Sequence, residues 1–344
     1  MKKFVSVCHI GAGRIGFTLE FDKKRLKPAS HIGMWKKNKQ VKLSGICEKK
    51  KIKKTFLKKI PKETNIYKNY IEMIKTEKPD IVSIATWKDT HFEITSKCID
   101  LGIKVIVLEK PLANTLKQAK FLIKKIKKNK VKVIVNHRRR FDKEIIKLRK
   151  LIKSGIIGEI IQVTSYYVYG ILTTGTHLVD TLRMLLNDVA GEVQSVTGFK
   201  NKFGFYHPND DENIDGVLTF KNNLKATIQS LNIKMYDNFD IYIYGTKGKI
   251  LITGIGRAGL LYNIIRSPEH KGFDELDHKS KKIFGPKPRN QFGALANNAI
   301  DCLLKKNVKP KCDDKDSFID MMIIDSLLKS SNQKNRTIKL KIKN

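Results

Sequence analysis

The chain has 344 residues, 41% of them hydrophobic, which suffices for two domains with cores of their own and is too apolar for a disordered chain. Against 33 Asp and Glu stand 69 Lys and Arg, a formal net charge of +36. That charge invites a nucleic-acid reading, but lysines are spread over every segment, including a helical face at 117–132, and aromatic residues do not interleave with them as a stacking platform requires. A solvated lysine-rich surface is expected, with attraction for anionic small ligands and no specific nucleic-acid partner.

No window approaches the roughly 18 uninterrupted apolar residues of a membrane span, so no membrane partner is expected. Met1-Lys2-Lys3-Phe4-Val5-Ser6-Val7 runs directly into a strand pattern, without a signal-peptide core. Cys8, Cys47, Cys98, Cys302 and Cys312 are scattered, with no C-x-x-C spacing. Reduced thiols in a cytoplasmic protein are expected, with neither a disulfide framework nor a metal site.

Residues 4–10 read as a short buried strand, followed at once by Gly11-Ala12-Gly13-Arg14-Ile15-Gly16. A G-x-G-x-x-G turn between a strand and a helix is a dinucleotide-binding pattern. The first glycine permits the turn, the second lets the backbone approach a pyrophosphate, and the third lets helix and strand pack closely. The segment from there to Lys39 reads as a loop, with His31 as a structural residue within it. Residues 41–48 alternate like a second strand and end on Glu48, placed to accept from ribose hydroxyls. This favours NAD, although Lys49 and Lys50 follow and could hold the extra phosphate of NADP. Residues 51–77 are helical in pattern, broken by Pro61. Buried strands follow at 79–86 and 105–108, then one at 131–135, with helices starting near His91 and Leu116 between them.

Such alternation predicts an α/β fold built on a doubly wound parallel sheet. Glu109-Lys110-Pro111 directly follows the strand Val105-Ile106-Val107-Leu108, at the carboxyl edge where open α/β sheets bind their ligands. Beyond 136–141 the grammar changes. A helix at 142–153 precedes strand-like runs at 159–169, 192–200, 214–221, 224–232, 239–244, 249–253 and 259–265, interrupted by a helix at about 175–187. A mostly antiparallel sheet with a helix on one face is expected. The polar stretch 266–289 reads as a loop; helices at about 290–305 and 315–330 and a strand at 336–342 end the chain. The expected division is therefore 1–136 and 137–344.

The chain resembles the Gfo/Idh/MocA oxidoreductases, named after glucose–fructose oxidoreductase and inositol dehydrogenase. The resemblance rests on Gly11-Ala12-Gly13-Arg14-Ile15-Gly16, on Ala85-Thr86 with His91, on Glu109-Lys110-Pro111, on Asn136-His137-Arg138-Arg139-Arg140-Phe141 and on Gly175-Thr176-His177-Leu178-Val179-Asp180. It implies an N-terminal NAD(P)-binding Rossmann domain and a C-terminal α/β domain with a large, mostly antiparallel open sheet. It also implies bound NAD or NADP, a sugar, nucleotide sugar or cyclic polyol as substrate, and a homo-oligomer, dimeric or tetrameric. The family's lysine falls on Lys110 and its histidine on His177. Many relatives carry an aspartate four residues before that histidine, where this chain has Thr173. The usual Pro-Asn after Ala-Thr is replaced by Trp87-Lys88.

Oxidising a secondary alcohol needs a hydride acceptor facing the carbon and a base for the hydroxyl proton. A free lysine, with a pKa of about 10.4, is a poor base at neutral pH. Beside an oxidised nicotinamide and an imidazole, in a site closed to water, its neutral form is favoured. Lys110 and His177 are therefore the expected catalytic pair, with Thr173 and Asp180 near the substrate. Cofactor contacts are expected from the six residues of the glycine turn and from Glu48, Ala85, Thr86, His91, Glu109, Lys110 and Asn136. Two other readings are an NAD-dependent glycosidase that oxidises its sugar transiently and a non-enzymatic NAD-binding regulator. Sugar release without NADH accumulation marks the first, and salt-resistant duplex binding marks a regulator acting on DNA.

Overall fold

The computed structural model describes residues 4–203, 211–286 and 289–342. Met1-Lys2-Lys3, read above as leading into the first strand, and Lys287-Pro288 of the expected 266–289 loop lie outside the described residues. By internal contacts the chain falls into two compact units. One comprises the residues up to Asp142 with Arg289–Phe318, the other the segment beginning at Lys143 with that beginning at Ile319.

In the first unit, β1 (Val5–Ile10), β2 (Val41–Cys47), β3 (Asn65–Tyr67), β4 (Ile81–Ile84), β5 (Val105–Leu108) and β6 (Lys132–Val135) form a sheet in the order β3-β2-β1-β4-β5-β6, parallel throughout. This is the Rossmann order, with its switch point between β1 and β4. The apolar runs have their physical reason here: all four residues of β4 and of β5 are buried, because helices cover both faces of such a sheet. The helices are α1 (His31–Lys37), α2 (Lys54–Leu57), α3 (Tyr70–Glu77), α4 (Lys88–Asp100) and α5 (Leu116–Asn129). Helix α5 starts in a Thr115/Gln118 capping box and turns Ala119, Leu122 and Ile126 inward, leaving Lys117, Lys120, Lys124, Lys127 and Lys128 to solvent.

Three details differ from the sequence reading. The glycine turn does not run into a long helix. Amides of Phe17 and Thr18 bond to the Gly13 carbonyl and that of Leu19 to Arg14, one turn that tightens into a 3-10 segment at Thr18–Phe21. The chain then makes an excursion and returns as α1, whose amides of His31 and Ile32 bond to the carbonyls of Ile15 and Gly16. One helix is thus built from two pieces of chain, and the region read as a loop contains its second half. Ser30 caps that half by accepting from Gly33 N, and the Glu20 carboxylate takes Ala29 N at 2.7 Å and the Ser30 hydroxyl at 3.1 Å. The third difference is β3, which lies inside the stretch read as helical.

The second unit opens with α6 (Lys143–Lys153), β7 (Ile160–Val168) and α7 (Thr176–Ala190). Then follow β8 (Val193–Lys200), β9 (Ile214–Phe220), β10 (Lys225–Leu231), β11 (Ile241–Gly245), β12 (Gly248–Thr253), β13 (Ala258–Arg266), β14 (Asp274–Leu276) and β15 (Lys281–Phe284). The stretch 266–289 is therefore not all loop: β14 and β15 both pair with β13.

The chain ends with α8 (Gln291–Leu304), α9 (Asp314–Asn332) and β16 (Ile338–Lys339), shorter than the expected 336–342 strand. The large sheet runs β14-β13-β12-β11-β7-β10-β9-β8-β16. Its pairings are antiparallel except for β7 with β10. Leu178, Val179, Leu182 and Leu185 of α7 and Ile323, Ile324 and Leu327 of α9 share a core with Val163, Tyr167, Leu218, Ile228 and Ile243 of the sheet.

Helix α8 belongs to the first unit, where a single break at 136 would have placed it in the second. The cause is polar as well as apolar. Arg140 Nη1 donates to Asp316 at 2.7 Å, and Asp142 accepts from Arg289 Nε at 3.1 Å and from the Gln291 amide at 2.7 Å. Lys132 Nζ reaches the carbonyl of Cys302 at 2.7 Å.

Candidate functional site

Because the first sheet is parallel, its strands end on one edge. There each residue after a strand continues the ladder. Gly11 N bonds to Cys47 O, Ala85 N to Ile10 O, Glu109 N to Ile84 O and Asn136 N to Leu108 O, all at 2.8–2.9 Å. The structure thus brings Gly11, Glu48, Ala85, Glu109 and Asn136 to the carboxyl ends of β1, β2, β4, β5 and β6, in adjacent strands.

Gly11 has φ of +96°, and a Cβ there would stand 2.6 Å from the Ala85 carbonyl oxygen; at Gly16 it would stand 2.0 Å from the Gly11 carbonyl oxygen. Both glycines are required by the turn itself. A Cβ at Gly13 would meet nothing within 4 Å. Gly13 and Arg14 are exposed, so the open space at Gly13 is a cradle that a ligand's backbone-hugging phosphate fits. Glu48 lies beside this turn: its Oε2 accepts from Ala12 N at 2.7 Å and its Oε1 from Lys50 N at 2.9 Å. Lys68 Nζ draws the carbonyls of Glu48, Lys49 and Lys50 together.

Glu109 is buried and its Oε1 accepts from Asn136 Nδ2 at 2.6 Å and pairs with His31 Nε2 at 2.8 Å. Burial alone would push this carboxyl up. The bond and charge of His31, the Asn136 amide and the Lys110 charge outweigh burial and bring it down to about 2. Lys110, partly exposed, follows directly, and its peptide bond to Pro111 is cis.

His91 is fully buried, with Nδ1 2.6 Å from the Pro111 carbonyl oxygen and Nε2 3.2 Å from that of Thr86. Its ring therefore braces the two turns, and burial lowers its proton affinity. The Thr86 hydroxyl accepts from Thr90 Oγ1 at 2.8 Å. Trp87, next along, is 78% exposed at the same edge. His31, expected as structural, joins the Glu109 cluster, a role that its place in an apparent loop concealed.

In the second unit His177 sits in the first turn of α7, partly exposed. A π-helical turn, Ile171–Gly175, leads into it; such turns recur at functional sites. Tyr169, just before, adopts φ of +61°. Sequence reasoning missed Asp211, whose carboxylate accepts from the amides of Leu172 at 2.7 Å and Thr173 at 2.8 Å. No carboxylate stands at position 173, yet a buried one from a distant segment holds that backbone. Thr173 is exposed, whereas Asp180 is buried on the inner side of α7. Tyr167 faces the core and donates to Ile214 O at 2.8 Å, while Tyr166 lies on the other face, edge-on to Tyr242 at 6.2 Å. Tyr169 stands beyond the end of β7, so strand alternation does not place it with Tyr167. Of the three arginines after Asn136, Arg140 pairs with the acid Asp316.

An open Rossmann sheet with a glycine turn, joined to a second α/β unit with a large mixed sheet, defines a two-domain nucleotide-binding oxidoreductase architecture. Residues 7–137 match the oxidoreductase family with NAD-binding Rossmann fold, and residues 145–251 match the GFO/IDH/MocA C-terminal domain. The chain belongs to the Gfo/Idh/MocA oxidoreductase family.

Among curated relatives, the uncharacterized oxidoreductase YhhX of Escherichia coli is 28% identical over 57% of this chain and 59% of its own length. An inositol 2-dehydrogenase/D-chiro-inositol 3-dehydrogenase of Shouchella clausii is 26% identical over 59% of this chain and 61% of its own. The matched region thus spans about three fifths of these relatives. Among solved structures, the WlbA dehydrogenase of Bordetella pertussis, in complex with NADH and UDP-GlcNAcA, superposes with a TM-score of 0.75 at 17% identity, covering 99% of this chain and 100% of that one. At that identity the likeness is one of fold. Among the described residues no helix is long and apolar enough to cross a membrane.

Proposed function

We propose that this protein transfers a hydride between a nicotinamide cofactor and a hydroxyl-bearing carbon of a sugar, nucleotide sugar or cyclic polyol, with Lys110 and His177 handling the proton. The observation that carries this reading is the placement of Glu109-Lys110-Pro111 on the carboxyl edge of β5, two strands from the glycine turn on β1. The inositol dehydrogenase and the UDP-GlcNAcA complex among the relatives support the substrate class.

Gly11, Ala12, Gly13 and the neighbouring turn residues would hold the dinucleotide's phosphates, and Glu48 its ribose. Glu48 favours NAD over NADP, because a carboxylate at the end of β2 repels a 2′-phosphate. When bound, the nicotinamide supplies the hydride acceptor or donor. Lys110 takes the proton from the substrate hydroxyl, or returns it to a carbonyl in the reverse direction. His177 hydrogen-bonds the same oxygen, with the Thr173 backbone fixed by Asp211 four residues before it. Glu109, Asn136 and His91 hold the Lys110 turn and do not themselves exchange protons with substrate. The half-buried face carrying Tyr166, Tyr242, Tyr244 and Tyr262 is the proposed surface for homo-oligomerisation.

The test is mass spectrometry of the dinucleotide that co-purifies, followed by a sugar and polyol screen at the nicotinamide absorbance. Lys110→Ala is expected to abolish turnover while leaving the cofactor bound. Full activity in that variant would overturn the mechanism.

A further inference from the structure

Behind the Lys110 turn lies an unbroken file of buried polar groups within the first unit. The Gly11 carbonyl oxygen is 2.7 Å from His9 Nε2, and His9 Nδ1 is 3.2 Å from Ser83 Oγ. Ser83 Oγ is 2.9 Å from His31 Nδ1, and His31 Nε2 is 2.8 Å from Glu109 Oε1. His9, Ser83 and His31 are fully buried. The two imidazoles stack at 5.6 Å, and Phe292 of α8 closes over His31 edge-on at 5.7 Å.

Counting protons decides the charge of this file. Four contacts need four hydrogens. The Gly11 carbonyl brings none, and a neutral His9, Ser83 and a neutral His31 bring one each. With Glu109 ionised, one contact would press two lone pairs together in a site where an unmade hydrogen bond is costly. A fourth proton is therefore resident.

It can sit on His9, His31 or Glu109. The Gly11 carbonyl takes the Nε2 proton of His9, and placing a second proton on this ring would put an unpaired cation beside His31. Burial first, and then the His31 charge, accordingly bring His9 down to about 3. Glu109 Oε1 already accepts from Asn136 and feels the charges of Lys110 and Arg138, which favour its anion. His91, also near Glu109, is engaged with backbone carbonyls. The proton thus belongs on His31. Both its nitrogens then donate, to Ser83 and to Glu109, and Ser83 donates onward to His9 Nδ1.

We propose that His31 is a positioning residue, an imidazolium locked in a file from the glycine turn to Glu109, which keeps Glu109 an anion beside Lys110. Charge is balanced within the pair, so no net charge is buried. The assignment of His31 as an imidazolium is independent of the proposed reaction, whereas its effect on Lys110 rests on that reading.

The first experiment is therefore nitrogen NMR of histidine-labelled intact protein, without substrate, between pH 6 and 9. His9→Gln and His31→Gln spectra assign the signals. The expected result at pH 7 is one ring with both nitrogens protonated. It should be missing in His31→Gln and converted to a neutral tautomer in Glu109→Gln, with His9 neutral and protonated on Nε2. A neutral His31 at pH 7 would overturn the proposal even if the enzyme is active. The second experiment is the pH–rate profile. His31→Leu and His31→Gln remove the imidazolium and with it the charge balance beside Lys110, so the limb assigned to Lys110 is expected to shift in both, further in the leucine variant. An unmoved limb in both variants, with the imidazolium seen by NMR in the parent protein, would refute the positioning role alone.

Discussion

His91 reaches from α4 to the carbonyl oxygen of Pro111 at 2.6 Å, tying the turn after β5 to the helix that follows β4. This one ring fixes where the backbone leaves Lys110. His91→Ala deletes a buried hydrogen bond and leaves a carbonyl without its donor, at a cost of about 1–3 kcal/mol. The expected outcome is a lower denaturant midpoint and a turnover number reduced roughly 10–100-fold, because small misplacements of a reacting group are costly. Dinucleotide affinity, followed by NADH fluorescence, is expected to change little. A variant with parental turnover would show that Lys110 does not need this brace.

The glycines of the first turn divide into two kinds, and alanine substitutions separate them. Gly16→Ala drives a methyl group into the Gly11 carbonyl oxygen, so both stability and dinucleotide binding should fall. Gly13→Ala meets open space, so the melting temperature should hold while dinucleotide affinity drops. Equal melting losses in the two would contradict the geometry.

Asp211→Ala removes the acceptor for the amides of Leu172 and Thr173 ahead of His177. A stability loss of about 1–3 kcal/mol is expected, together with faster amide hydrogen exchange at 171–177. Asp211→Asn, which keeps one acceptor oxygen, should recover part of both.

Acid sensitivity has a definite source. His9, brought down to about 3 from an ordinary 6.5, resists protonation only when folded. Its contribution to stability is whole above pH 6.5 and is lost as pH falls towards 3. Glu109, brought from 4.5 to about 2, contributes above pH 4.5 and loses that contribution as pH falls to about 2. Denaturant titrations from pH 7 to 4 should therefore show stability falling with pH, and His9→Gln should flatten the slope between 6.5 and 4. An unchanged slope would remove His9 as the cause.

The doubly wound half was legible because parallel strands buried on both faces write themselves as unbroken apolar runs, as Val105 to Leu108 do. Lys110 could be singled out because a strand end and the ligand edge coincide in such sheets. What escaped was whatever depends on long-range pairing. Helix α1 is one of seven residues, with its start signal in Ser30, and its first amides bond back to residues sixteen positions earlier. Asp211 lies 38 residues from Thr173, and nothing local marks its aim. His9 and Ser83 occupy strand positions where alternation says only "buried", so a polar file inside the sheet looks like two tolerated exceptions. The charge of +36, spread over every segment, singles out no residue of the site.

The helix assembled from two pieces of chain has a consequence for how this protein can be altered. The amides of His31 and Ile32 close onto Ile15 and Gly16, and Glu20 fastens Ala29 and Ser30, so the stretch between them is clamped at its base. Lengthening the chain between Lys23 and Arg25, both exposed, therefore leaves the nucleotide turn mechanically undisturbed. That spot is a natural port for an epitope, a fluorophore or a tether.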